Sequence, residues 1–118
     1  MRDQLSHHFF RDEFACRCGC GFDTVDSKLV DLLEYIRHEA GHPIKINSGC
    51  RCELHNRTIN GSVRSQHLIG RAADIWVDQP NKIYNLLDLA YHDRYGIGVY
   101  EWGLHVDTRS GGPARWDG

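Results

Sequence analysis

Seven residues, Arg71 to Val77, restrict this chain more than any others. They alternate in the two-residue period of a half-buried strand, with Ala72, Asp74 and Trp76 on one face and Ala73, Ile75 and Val77 on the other. A carboxylate in the middle of such a strand stands on a backbone held by pairing, so Asp74 has a rigid support. Farther on, Gly96 to Thr108 reads as a hairpin whose returning strand puts His105 and Asp107 on one face and Leu104 and Val106 on the other. The loop from Ser65 to Gly70 carries His67 just ahead of the Asp74 strand. If these strands lie in one sheet, two imidazoles and a carboxylate converge on one of its faces. That donor set is typical of a catalytic zinc, which takes three protein ligands and leaves a fourth position to water. A closed structural site would more often use four ligands, with cysteine among them.

The remaining segments place this strand in a fold. Residues 9–22 read as loop, with Phe9, Phe10, Phe14 and Phe22 available to pack it onto the body. Asp26 is a candidate cap for a helix over residues 27–40, where Leu29, Leu32, Leu33 and Ile36 recur at three- and four-residue steps before Gly41. Residues 43–47 alternate like a short strand, and residues 53–59 suggest a short helix ending at the Asn60-Gly61 turn. A second amphipathic helix is expected over 81–92, with Ile83, Leu86, Leu87 and Ala90 as its buried stripe. Ser110 to Pro113 reads as a turn or loose end. Helices and strands without regular alternation predict an α+β domain spanning residues 1–118, its helices packed on a small, mainly antiparallel sheet.

Composition narrows the function classes. The chain has 118 residues, a net charge of −2 and 14 scattered Lys and Arg, which argues against a nucleic-acid partner. No apolar run approaches the roughly 20 residues of a membrane-spanning helix. The opening Met1-Arg2-Asp3-Gln4 is polar and lacks the apolar core of a secretory signal, so synthesis in the cytoplasm is expected. Of eight histidines, His7, His8, His38, His42, His55 and His92 have no ligand-like context and read as surface or packing residues.

Five cysteines fall into two groups, Cys16, Cys18 and Cys20, then Cys50 and Cys52. Three readings stand: unlinked core thiols, a disulfide between the groups, or a structural zinc drawing on both.

Hydrolysis at a His67–Asp74–His105 site needs a base for the attacking water. Glu101, on the hairpin leading to His105, is the first candidate. Asp107 is the alternative, either as the base or orienting an imidazole from behind. Arg51 suits a bidentate grip on a substrate carboxylate, against the simpler reading of an ion pair with Glu53 or Asp12. Ser65 can shape the loop or donate to substrate.

Ser65-x-His67-x-x-Gly70-x-Ala72-x-Asp74 resembles the first zinc motif of the M15 metallopeptidases, which include zinc D-alanyl-D-alanine carboxypeptidases and phage endolysins. Gly103-Leu104-His105-Val106-Asp107 is similar to the second zinc motif of that family, and Ser48-Gly49-Cys50-Arg51 through Asn56 to its substrate-arginine segment. Phe9, Glu13, Phe14 and Trp116 fit the small M15A-like branch. The resemblance implies a hedgehog/DD-peptidase fold and peptidoglycan stem peptides as substrate. It also implies Zn2+ on His67, Asp74 and His105, with Arg51 as the carboxylate clamp. Better-known members carry an acidic base three residues before the last zinc histidine; here that position is Trp102, and Glu101 is its neighbour.

The expected activity is a zinc D,D-carboxypeptidase or endopeptidase, monomeric, acting on the cell wall after phage-type release or as part of a virion. The alternative is a zinc-containing binding module, catalytically impaired, that holds wall peptide or a protein partner.

Overall fold

The computed structural model describes residues 3–118, so Met1 and Arg2 of the polar opening lie outside the described residues. Its elements are helix α1 (Ser27–Ala40), strand β1 (Lys45–Ser48), helix α2 (Glu53–Thr58), strand β2 (Ala72–Trp76), helix α3 (Pro80–Ala90), and strands β3 (Gly96–Tyr100), β4 (Gly103–Asp107) and β5 (Ala114–Asp117). Two short 3-10 helices, Arg11–Phe14 and Gln66–Ile69, interrupt the connecting loops.

The five strands form one mixed sheet in the order β1-β2-β4-β3-β5, with α1 and α3 packed on one face, as an α+β chain requires. All pairs are antiparallel except β3 with β5. The alternation of β2 and β4 does what the sequence pattern predicts. Ala73, Ile75, Leu104 and Val106 are fully buried in the core, together with Leu29, Leu32, Leu33 and Ile36 of α1 and Ile83 and Leu87 of α3. The other face is left for Asp74 and His105, which are directly opposite one another in the β2–β4 register.

Three local expectations are corrected. Asp26 occupies the cap position of α1, but its carboxylate accepts a hydrogen bond from the Thr108 hydroxyl at 2.6 Å instead of capping the helix. Ala90, in the last turn of α3, is exposed. The tail continues past its turn into β5, a strand too short and polar to announce itself. Its Arg115 holds it in place by donating to the carbonyls of Tyr91 and Tyr95 and to Asp88.

Two glycines of β3 open the space that the site needs. A Cβ on Gly96 would collide with the Asp107 carboxylate, and one on Gly98 with the Trp116 indole that lies beside His105. No helix among the described residues is long and apolar enough to cross a membrane.

Candidate metal centre

Asp74 stands at the centre of the group. Its Oδ1 is 2.9 Å from His105 Nδ1, and its Oδ2 is 3.2 Å from His67 Nε2 and 3.1 Å from the Arg51 guanidinium. Each partner arrives by a different route. His105 comes from the neighbouring strand. His67 sits on the 3-10 helix Gln66–Ile69, which begins at Ser65, whose hydroxyl accepts from the His67 N–H, and ends at Gly70 with φ 70°, a left-handed geometry suited to glycine. Arg51 lies between β1 and α2. Its N–H donates to the His67 carbonyl, and its guanidinium also donates to Ser48 Oγ and Asn56 Oδ1.

Hydrogen bonding behind the group settles which nitrogens face it. His67 Nδ1 is 2.5 Å from the Gly49 carbonyl, which can only accept, so Nδ1 carries a proton and Nε2 presents a lone pair. That Nε2 is buried and has no hydrogen-bond partner, although it points toward Asp74 Oδ2. A lone pair held against a carboxylate is unfavourable unless a cation lies between them. His105 is prepared in the same way. Its Nε2 is 2.7 Å from Asp107 Oδ2, leaving Nδ1 toward Asp74. Asp107 is fully buried and is gripped in turn by the bidentate Arg109 guanidinium, at 2.8 and 2.7 Å, and by the Gly96 N–H. A carboxylate behind a ligating imidazole fixes its tautomer and raises its basicity.

The group fits zinc. Zinc bonds of about 2.0–2.1 Å to nitrogen and oxygen give donor-to-donor edges of roughly 3.3 Å in a tetrahedron, close to the 2.9 and 3.2 Å found between Asp74 and the two imidazoles. The three donor atoms lie within 4.8 Å of one another.

Charge coupling is strong. Burial alone would raise the Asp74 carboxyl, but its hydrogen bond with His105 and the two neighbouring imidazoles hold it well below the usual carboxylate range. Asp107 is likewise held low, burial being outweighed by Arg109 and His105. Burial disfavours His105 cation, yet Asp107 and Asp74 together raise its affinity for a proton.

Other expected site residues fall elsewhere. Glu101 is exposed at the β3–β4 turn and lines an open cleft with Pro80 and Asn81 of α3. The ion pairs of the group run among His67, Asp74, His105, Arg51 and Asp107, without Glu101. Its neighbour Trp102 stacks on Tyr100 instead, ring centres 4.8 Å apart. Arg51 pairs with Asp74 and not with Glu53 or Asp12. It also borders an open cleft of about 470 Å³ lined by Phe22, Cys52, Glu53 and Leu68. Of the cysteines, Cys16, Cys18, Cys20 and Cys52 come together, while Cys50 is buried apart with its thiol donating to the Phe22 carbonyl, and burial pushes that thiol up to about 11. Sequence reasoning missed Arg109, whose only signal was its position two residues after Asp107, and the Gly49 carbonyl, which leaves no side-chain signal at all.

A fold with imidazole and carboxylate donors opposed on neighbouring strands, backed by a carboxylate and flanked by arginine, is that of a metal-dependent hydrolase. The family model described as Peptidase M15 matches residues 7–107 of this chain, and the chain belongs to that family of metallopeptidases. No curated protein matches it in sequence.

Proposed function

We propose that this chain is a zinc peptidase of bacterial cell-wall peptides, hydrolysing stem peptides or cross-links that contain D-alanine. The observation that carries the reading is the unpartnered Nε2 of His67, aimed with His105 Nδ1 at the Asp74 carboxylate. His67, Asp74 and His105 would hold the ion. Zinc supplies Lewis-acid polarisation of a peptide carbonyl and acidifies water to near neutral pKa, about 7.

The chain's own residues supply orientation. Ser48 and Asn56 brace the Arg51 guanidinium at the edge of the open cleft, where its planar fork can take a terminal carboxylate. Asp107 and Arg109 hold His105 against rotation and keep a proton on its Nε2. Asn56 is itself buried and donates to the Ser62 carbonyl, so the arginine's brace is rigid. The expected setting is a monomer acting at the wall, in the manner of a phage lytic enzyme.

One observation favours the second reading, a zinc-containing module that binds wall peptide without cutting it. Asp107 is closed off by Arg109 and His105, and Glu101 makes no ion pair with the three donors.

Digestion of purified muropeptides by the zinc-loaded protein, followed by mass spectrometry, separates the two. Loss of a terminal D-alanine identifies a carboxypeptidase, and opening of cross-linked dimers an endopeptidase. Zinc bound at full occupancy with every muropeptide left intact would refute hydrolysis and favour the binding module.

A further inference from the structure

We infer that Cys16, Cys18, Cys20 and Cys52 form a second metal site, a closed tetrathiolate zinc site that ties the N-terminal segment to the arginine loop. The four sulfurs lie within 4.8 Å of one another. Cys16 Sγ is 3.4 Å from Cys18 Sγ and 3.9 Å from Cys52 Sγ, and Cys18 Sγ is 3.7 Å from Cys52 Sγ. Zinc–sulfur bonds of about 2.3 Å place the sulfurs of a tetrahedral site roughly 3.8 Å apart, so these separations are those of a zinc tetrahedron. A disulfide needs about 2.05 Å.

Burial does not explain the gathering. Cys18 and Cys20 are exposed and Cys52 is half-buried, whereas Cys50, which is buried with its thiol on the Phe22 carbonyl, stays outside the group. Cys16 is the buried member of the four, and burial gives the exposed Cys18 and Cys20 no reason to gather around it. The odd count of five thus resolves into four ligands and one packing residue.

The backbone around the sulfurs is arranged for thiolates. Cys52 N–H points at Cys16 Sγ and His55 N–H at Cys52 Sγ, both at 3.4 Å, and such donors favour sulfur in its anionic form. The Cys16–Cys20 loop is closed by the Gly19 N–H on the Cys16 carbonyl and by the Cys16 N–H on the Phe22 carbonyl. Arg17 fastens this loop to the sheet by donating to the carbonyls of Glu13, Ile46 and Asn47. Soft, all-sulfur, tetrahedral donor sets select zinc over magnesium or calcium, and loading releases the thiol protons to solvent.

The site has a consequence for the first one. Cys52 directly follows Arg51, and Gly49 supplies the carbonyl that sets the His67 tautomer. An ion on Cys52 would thus clamp the segment from which both Arg51 and His67 take their orientation.

The test is metal stoichiometry and cobalt spectroscopy on the full chain. Wild type should hold two zinc equivalents after gel filtration, and His67→Ala and Cys18→Ser/Cys20→Ser should each hold one. Cobalt-loaded His67→Ala, with all four thiols intact, should show thiolate-to-cobalt charge transfer in the near ultraviolet. The serine variant should lack it. Absence of that band in cobalt-loaded His67→Ala overturns the proposal even if the serine variant does not fold. So does a serine variant with undiminished zinc. Failure of the hydrolytic reading would look different: the charge-transfer band would persist while the zinc-loaded wild type left every muropeptide intact.

Discussion

The chain presents two clusters of metal-type donors, and they are built in opposite ways. The His67–Asp74–His105 group rests on the sheet, and two of its members face each other across paired strands. Each imidazole is oriented from behind, by the Gly49 carbonyl or by Asp107, and an arginine stands at its edge. The Cys16–Cys18–Cys20–Cys52 group rests on loops, is all sulfur, and among the described residues has no charged side chain braced behind it in the same manner. Mixed donors on a rigid platform leave room for substrate, while four thiolates on loops close around an ion and hold chain segments together. The contrast teaches that donor chemistry and the rigidity of the support go together, and that one small domain has room for both arrangements.

The comparison breaks most visibly at the sheet-borne site. His67→Ala should reduce peptide hydrolysis to background and remove one zinc equivalent while leaving the cysteine site loaded, as checked by muropeptide digestion alongside metal analysis. Asp107→Asn should have a smaller effect, weakening metal binding at that site by roughly 10- to 100-fold, measurable by competition with a chelator. The asparagine keeps the shape but no longer holds the proton on His105 Nε2 as a carboxylate does.

A third prediction concerns pH in the chelated protein. The folded state lowers the carboxyls of Asp74 and Asp107, so their contribution is present above about pH 3.9 and is lost as pH falls through their depressed folded values. It raises His105, so that contribution is present below about pH 6.5 and is lost as pH rises through its elevated folded value. The Tm of metal-free protein should therefore be highest between about pH 4 and 6.5 and fall on either side. Zinc should abolish the alkaline fall, because the ion takes the place of the proton between His105 and Asp74. A metal-free Tm that keeps rising from pH 6 to 9 would contradict the coupling. The smallest effect is expected of Glu101→Gln, whose turnover should stay within about twofold of wild type, since the exposed side chain makes no ion pair with the three donors. A large loss of turnover would place Glu101 back in the mechanism.

Much of this was legible one residue at a time. The two-residue period of β2 and β4 assigned Asp74 and His105 to the face opposite the core, because alternation is a local property of an extended backbone. The three- and four-residue steps of Leu29, Leu32, Leu33 and Ile36 gave α1 in the same way. Glu101 was harder to place because a hairpin turn breaks the alternation. Glu101 lies two residues before Gly103, in the turn itself, where parity no longer says which side of the sheet a side chain joins. β5 was missed because its stability comes from Arg115 reaching the carbonyls of Tyr91 and Tyr95, at least twenty positions away in sequence.

The sequence by itself thus determined the residue types of both clusters, the faces of the strands and the helix that backs them. Only the tertiary structure decided that Gly49 sets the His67 tautomer across 18 positions and that Arg51 meets Asp74 across 23. It also decided that Cys52, and not Cys50, joins Cys16 across 36. The physical reason is one of range: side-chain periodicity is written in neighbouring residues, whereas a shared ion or a buried carbonyl acceptor depends on where distant segments of the chain are brought to rest.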